Sequence, residues 1–267
     1  MQFAVTFPKE AAIRTLAILA ALPEEIGEIL EQMEGHAVTH TIGMRDYHVG
    51  TLMGHRCVVT LARIGKVAAA ATTVVLIREF GVTEVVFTGL AGGIHPSVNV
   101  GDVVVGTELK QYDLDARPLF PQYEVPLLGI SRFEASAELS SALEAAARNF
   151  LADGLARAVD PTTWAELKLG EPQLHTGLIV TGDRFVNEPR AGQMLRQSIP
   201  DALCVEMEGA AVAQVCHEFG VPFAVLRTVS DRADHAATVD FTTFLNRVAR
   251  VYSAGILRRF LETRSAR

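Results

Sequence analysis

The chain has 267 residues, a length that suits one large domain or two small ones and supports a core without metal or disulfide staples. Apolar residues make up 49% and charged residues 21%, with no glycine or proline excess, which excludes a disordered or collagen-like chain. The net charge of −7 opposes any large phosphate-neutralising surface, so nucleic acid is excluded as a partner.

In chain order, Leu16 to Leu22 is a short apolar strand. It ends at Pro23, Glu24 and Glu25, a helix start whose apolar face is Ile26, Ile29, Leu30 and Met33. Tyr47 to Leu52 and Cys57 to Leu61 form a hairpin, and Lys66 to Phe80 a helix closed by Gly81. Glu84 to Thr88 is a strand leading into Gly89, Leu90, Ala91, Gly92 and Gly93, and Asp102 to Gly106 is another. Asp113 to Ile130, with three prolines and a glycine, has no period and is a long excursion. Ala135 to Leu151 is a helix, His175 to Val180 a strand and Glu188 to Gln197 a short helix. Ala202 to Val205, Glu206 to Phe219 and Pro222 to Val229 give strand, helix, strand, before a closing helix from about Thr242 to Leu261. The alternation predicts an α/β fold: a single three-layer domain with a central mixed, largely parallel sheet flanked by helices.

Cys57, Cys204 and Cys216 are odd in number and widely spaced, which gives neither a metal knuckle nor a disulfide framework and suits a reducing cytoplasm. Met1 to Arg14 lacks the pattern of a signal peptide, and no run of about 18 apolar residues offers a membrane span. No metal and no cofactor is expected.

In open α/β sheets ligands sit beyond the carboxyl ends of strands. Glu25, Glu208 and Asp231 each follow a predicted strand, and converging carboxylates suit acid and base catalysis of a hydrolysis such as glycoside cleavage. Plainer readings stand beside this one. Glu24 and Glu25 complement a helix dipole, and Asp231 caps a turn after Ser230. Glu206 and Glu208 flank Met207 and cannot share one helical face, so at most one of them faces a given ligand and the other is a dipole or salt-bridge partner. TGLAGG allows close backbone approach, but it matches neither dinucleotide nor triphosphate fingerprints.

Several segments together resemble the nucleoside phosphorylase and nucleosidase superfamily, and within it the 5′-methylthioadenosine/S-adenosylhomocysteine nucleosidases. They are AALPEEI (20–26), RIGKVAAA (63–70), TGLAGG (88–93), GDVVV (101–105), TGDRFVN (181–187), VEMEGAAVAQVCHEFGVPF (205–223) and RTVSDRAD (227–234). The resemblance implies one nucleosidase domain over 16–262, between an extension at 1–15 and a tail at 263–267. It implies release of adenine from a small-molecule 5′-thioadenosine by a homodimer. Glu25 matches the general base for water and Asp231 the acid that protonates adenine N7. Glu208 matches the acceptor of the ribose hydroxyls with Met207 against the sugar, and Arg227 a site arginine that orients the carboxylates. Phe185 stacks on the purine and the Val186 backbone reads its edge. Ile64 and Phe241 wall the 5′-thio group, and Glu206, Ser230 and Leu90 stand near the substrate.

The chain departs from that pattern in places. Leu90 replaces a small hydroxyl residue, Arg63 stands where glycine is usual before IGK, and the 111–130 segment differs. Rival readings are a phosphorylase of the same fold, a hydrolase of another nucleoside such as futalosine, and a non-catalytic nucleoside-binding protein.

Overall fold

A computed structural model describes residues 14–166, 169–233 and 237–264. The expected N-terminal extension lies outside these apart from Arg14 and Thr15, as do most of the expected tail and Asp234. The strand LAILA, β1 (Leu16–Ala20), is buried throughout and passes into α1 (Pro23–Glu31). Next come β2 (Glu34–Ile42), β3 (Arg45–Leu52), β4 (His55–Leu61), α2 (Lys66–Glu79), β5 (Glu84–Phe87) and β6 (Leu90–Gly93). Then follow β7 (Val103–Gln111), β8 (Phe133–Glu134), α3 (Ala137–Asn149), α4 (Leu155–Ala158) and α5 (Pro161–Glu166), with a π-helical stretch at Phe150–Gly154 between α3 and α4. The chain closes with β9 (Leu174–Thr181), α6 (Pro189–Ser198), β10 (Ala202–Glu206), α7 (Gly209–Phe219), β11 (Phe223–Asp231), α8 (Ala237–Phe244) and α9 (Arg250–Glu262).

The strands form one mixed sheet in the order β2-β3-β4-β1-β5-β11-β6-β10-β9-β7-β8, and β7 also pairs with β11. That extra pairing closes β11, β6, β10, β9 and β7 into a ring, while β5, β1, β4, β3 and β2 extend from β11 as an open sheet. β1 runs parallel to β4 and β5, and β11 parallel to β5 and β6. β10 enters antiparallel to β6, with Val205 opposite Gly92. Helices cover both faces over two large apolar clusters, one holding Phe150, Phe244, Tyr252 and Phe260 and the other Phe87, Val104 and Ile179, and a smaller third cluster holds Val180, Val186 and Val205. Among the described residues no helix is long and apolar enough to cross a membrane.

Three local differences from the sequence expectations bear on the site. Leu90–Gly93 is a strand despite its glycines, because β10 and β11 supply hydrogen-bonding partners on both sides. Glu206 ends β10 and does not begin a helix; α7 starts at Gly209. The closing helical region begins at Ala237, earlier than Thr242, and a π-helical stretch at Leu245–Ala249 interrupts it. The excursion after β7 carries no regular element beyond one bridge between Val125 and Ile130.

Candidate active site

The ends of β1, β4, β5, β10 and β11 surround a cavity of about 480 Å³. Of the residues singled out above, Glu25, Ile64, Leu90, Phe185, Glu206, Met207, Glu208, Arg227, Ser230, Asp231 and Phe241 all line it. Val186 lies in a small adjoining recess shared with Phe185, Met207 and Asp231. The segments drawn together are far apart in sequence, so the arrangement is a property of the fold.

Glu25 owes its position to the start of α1. Pro23 occupies the first turn, where its missing N–H costs nothing, and Glu25 reaches back to the backbone before it. Its Oε2 accepts from the Ala21 and Leu22 N–H groups at 2.8 and 2.9 Å, and its Oε1 accepts from Leu90 N–H at 3.0 Å. The helix-start reading therefore holds for Glu25, which also lines the cavity, whereas neighbouring Glu24 is exposed. Burial pushes the Glu25 carboxyl above its ordinary range, against the pull of the Leu22 N–H and of Arg227. A carboxylate has about four acceptor sites. Three N–H groups leave room for roughly one more donor at Glu25.

The two acids flanking Met207 do different work. Glu206 is consumed inside the protein: its Oε2 accepts from Arg227 Nη2 at 2.6 Å and from the Gly209 N–H at 2.7 Å. Its Oε1 accepts from the Thr181 hydroxyl, which in turn accepts from the Ala210 N–H at 2.8 Å. Glu206 thus organises the site and leaves little capacity for a ligand. Glu208 lines the cavity and accepts from the Gly65 N–H through Oε1 at 2.8 Å, while its other oxygen has no hydrogen bond among the described residues. Burial, then the charge of Glu206, pushes Glu208 up to about 8. Glu206, expected beside the substrate, is instead the salt-bridge partner of Arg227, because β10 ends with its carboxylate between Arg227 and the start of α7.

Arg227 is 1% exposed. Besides Glu206 it donates to the Leu226 and Phe87 carbonyls, and its guanidinium lies 4.1 Å from the centre of the Phe87 ring. Burial pulls its pKa down, but Glu206 outweighs this and holds it above the usual value. Asp231 accepts from the Ser230 hydroxyl and the Ala233 N–H, both at 2.8 Å. Ser230 therefore acts on Asp231, and the turn-capping reading of Asp231 also holds. Phe185 and Phe241 meet edge to face at 5.6 Å. With Ile64, 56% exposed, they make the mouth apolar.

The glycines of TGLAGG serve a purpose different from a phosphate cradle. A Cβ on Gly89 would stand 3.0 Å from Glu25 Oε1, and one on Gly92 would stand 2.9 Å from Asp231 Oδ1. They give clearance to carboxylates. Sequence reasoning assigned no role to Thr181, although it opens the TGDRFVN segment. Nor did it assign one to Leu245, which also lines the cavity. A hydroxyl directly after an apolar strand was the available signal for Thr181.

With this geometry in view, a sequence profile for the phosphorylase superfamily matches residues 15–262. The chain belongs to that superfamily. Within it, a 5′-methylthioadenosine/S-adenosylhomocysteine nucleosidase from Anoxybacillus flavithermus is 36% identical over 235 residues, covering 88% of this chain and 92% of that protein. The crystal structure of the nucleosidase of the same name from Neisseria meningitidis, in complex with methylthio-immucillin-A, is 35% identical with a TM-score of 0.82. It covers 94% of this chain and 100% of that one. A futalosine hydrolase from Helicobacter pylori is 30% identical with a TM-score of 0.78, covering 95% and 99%. The chain is a member of the methylthioadenosine/S-adenosylhomocysteine nucleosidase family, and its nucleoside phosphorylase-like fold agrees with the sequence expectation.

Proposed function

We propose that the protein hydrolyses the N-glycosidic bond of 5′-methylthioadenosine and S-adenosylhomocysteine, releasing adenine and the 5′-thio-substituted ribose. The observation that carries this reading is the charge balance of the cavity. Glu25, Glu206, Glu208 and Asp231 line it, and Arg227, the one lysine or arginine among the described residues that line it, is already held by Glu206. Among the described residues a phosphate dianion meets carboxyl groups and no free cation there, whereas an oxocarbenium-like ribosyl centre is stabilised by the carboxylate of Glu25 and by that of Glu208 once the ribose hydroxyls have displaced its proton. Water is the acceptor that such a site favours.

In this reading the remaining acceptor capacity of Glu25 takes a proton from the attacking water. Asp231, held by Ser230 and Ala233, carries a proton to adenine N7 so that the base departs neutral. The open oxygen of Glu208 accepts from the ribose hydroxyls, Met207 packs on the sugar, and Phe185 stacks on the purine while the Val186 backbone meets its edge. Arg227 keeps Glu206 and the β10 end in place. Ile64, Phe241 and Leu90 enclose the thio substituent and sugar. Near Leu90 the main-chain N–H on Glu25 is kept although the hydroxyl usual in relatives is gone.

The working form is proposed to be a homodimer in the cytoplasm. Leu119 and Leu127, 83% and 94% exposed on the 111–130 excursion, are the apolar surface that a second copy would cover. Cys57, Cys204 and Cys216 are free and buried, which suits a reducing compartment. Incubation with methylthioadenosine, S-adenosylhomocysteine, futalosine and inosine, with the free base followed by chromatography, tests the substrate assignment. Adenine from the two thioadenosines is expected. Hypoxanthine from futalosine with no adenine from the others would replace it with the futalosine reading.

A further inference from the structure

Arg63 departs from the glycine usual before IGK, yet it keeps a backbone that favours glycine, with φ at 65°. Holding a bulky side chain in the left-handed region costs backbone strain that glycine would not incur. Arg63 is exposed and stands one residue before Ile64, which lines the mouth of the active-site cavity. It also lines a separate groove of about 280 Å³, together with Pro23, Arg45, Asp46 and His48. The two spaces lie on either side of two peptide bonds, 22–23 and 63–64. Leu22 and Ile64 face the active site, while their neighbours Pro23 and Arg63 face the groove.

The groove carries charge that its own surroundings do not use up. Among the described residues Arg63 donates to the Met44 carbonyl alone, and Arg45 donates to the Gly43 carbonyl while its buried Nε has no partner. Asp46 accepts from Thr41 at 2.6 Å and stays exposed. Two guanidinium groups beside one carboxylate complement an α-amino acid, whose carboxylate and ammonium sit on one carbon. The apolar mouth offers such a zwitterion nothing, since Ile64, Phe185 and Phe241 carry no charge.

We infer that this groove receives the amino-acid end of the 5′ substituent of S-adenosylhomocysteine, with Arg63 pairing its carboxylate and thereby setting preference between that substrate and methylthioadenosine. The inference rests on the nucleosidase reading above. Beyond sulfur the homocysteinyl tail adds two methylenes and the charged carbon, and adjacent Cα atoms at 63 and 64 are about 3.8 Å apart. A tail passing Ile64 therefore comes within reach of the long Arg63 side chain. Methylthioadenosine ends at its methyl group and makes no such contact.

The test is the ratio of kcat/KM for S-adenosylhomocysteine to that for methylthioadenosine in Arg63→Gly, Arg63→Lys and Arg63→Glu. The Gly variant suits the backbone at this position, so folding is preserved. The ratio is expected to fall about tenfold in Arg63→Gly and further in Arg63→Glu, chiefly through KM, with partial retention in Arg63→Lys. A ratio within twofold of the parent in both the Gly and Glu variants, or equal losses on both substrates, overturns the inference. Should the parent release adenine from neither compound, the nucleosidase reading fails instead, and the ratio of the two dissociation constants measured by calorimetry then decides the Arg63 contact by the same criteria.

Discussion

Gly92 and Asp231 are opposite one another in the ladder between β6 and β11, and a methyl group on Gly92 would stand 2.9 Å from Asp231 Oδ1 and 3.2 Å from the Ala233 Cβ. The glycine therefore fixes where the carboxylate lies. Gly92→Ala is expected to displace Asp231 and lower kcat on the order of a hundredfold, with a stability loss of about 1–3 kcal/mol from overpacking. Steady-state kinetics beside thermal melts checks this. Gly170→Ala, where an added methyl meets nothing within 4 Å, is the control and leaves both unchanged.

Asp231→Asn removes the proton donor while keeping the shape and the contact from the Ala233 N–H. The expected loss is about 10²- to 10⁴-fold in kcat, with the affinity for a non-hydrolysable adenosine analogue held within about tenfold. Near-normal turnover would contradict the role given to Asp231.

Glu208, pushed up to about 8, holds its proton at neutral pH in the free protein. Ribose hydroxyls donate, so they favour the carboxylate, and binding must expel that proton below about pH 8. Ligand affinity is expected to rise towards pH 8 and then level off. Calorimetry in buffers of different ionisation heat should find close to one proton released at pH 7. The sign for stability runs the other way. Between the ordinary carboxyl value of 4.5 and about 8 the native state binds more protons than the unfolded chain, so the free protein loses stability as pH rises through that window. Glu208→Gln should flatten both dependences.

Arg227 and Glu206 are both buried and joined at 2.6 Å. Arg227→Met leaves Glu206 charged without a counterion, and a loss of about 3–5 kcal/mol in unfolding free energy is expected. Adding Glu206→Gln to that variant should recover part of the loss in denaturant titrations. Additive losses would show that the two side chains are not coupled.

Much of the site was legible because its acids stand where apolar strands end: Glu25 after LAILA, Glu208 after Val205, and Asp231 at the end of β11. The family resemblance supplied their roles, which strand and helix periodicity alone left open. Less visible was what depends on pairing across the fold. Leu90–Gly93 has poor strand propensity and becomes β6 only because β10 and β11 flank it. Glu34–Ile42, rich in polar and small residues, gave no strand reading and forms edge strand β2 by pairing with β3. Glu206 read as helical because the helix beyond it is strong. Its role as the partner of Arg227, Thr181 and the start of α7 required knowing that β10 runs beside β6. The clearance at Gly89 and Gly92 was equally hidden, since it concerns side chains more than 60 residues away in one case and more than 130 in the other.

The most direct measurement is adenine release from methylthioadenosine by the phosphate-free protein, repeated with added phosphate and with analysis of the sugar product. Full turnover without phosphate, giving methylthioribose and no acceleration when phosphate is supplied, is the expected result. Turnover that requires phosphate and yields a ribose 1-phosphate would contradict water as the acceptor, and with it the roles assigned to Glu25 and to the negative cavity.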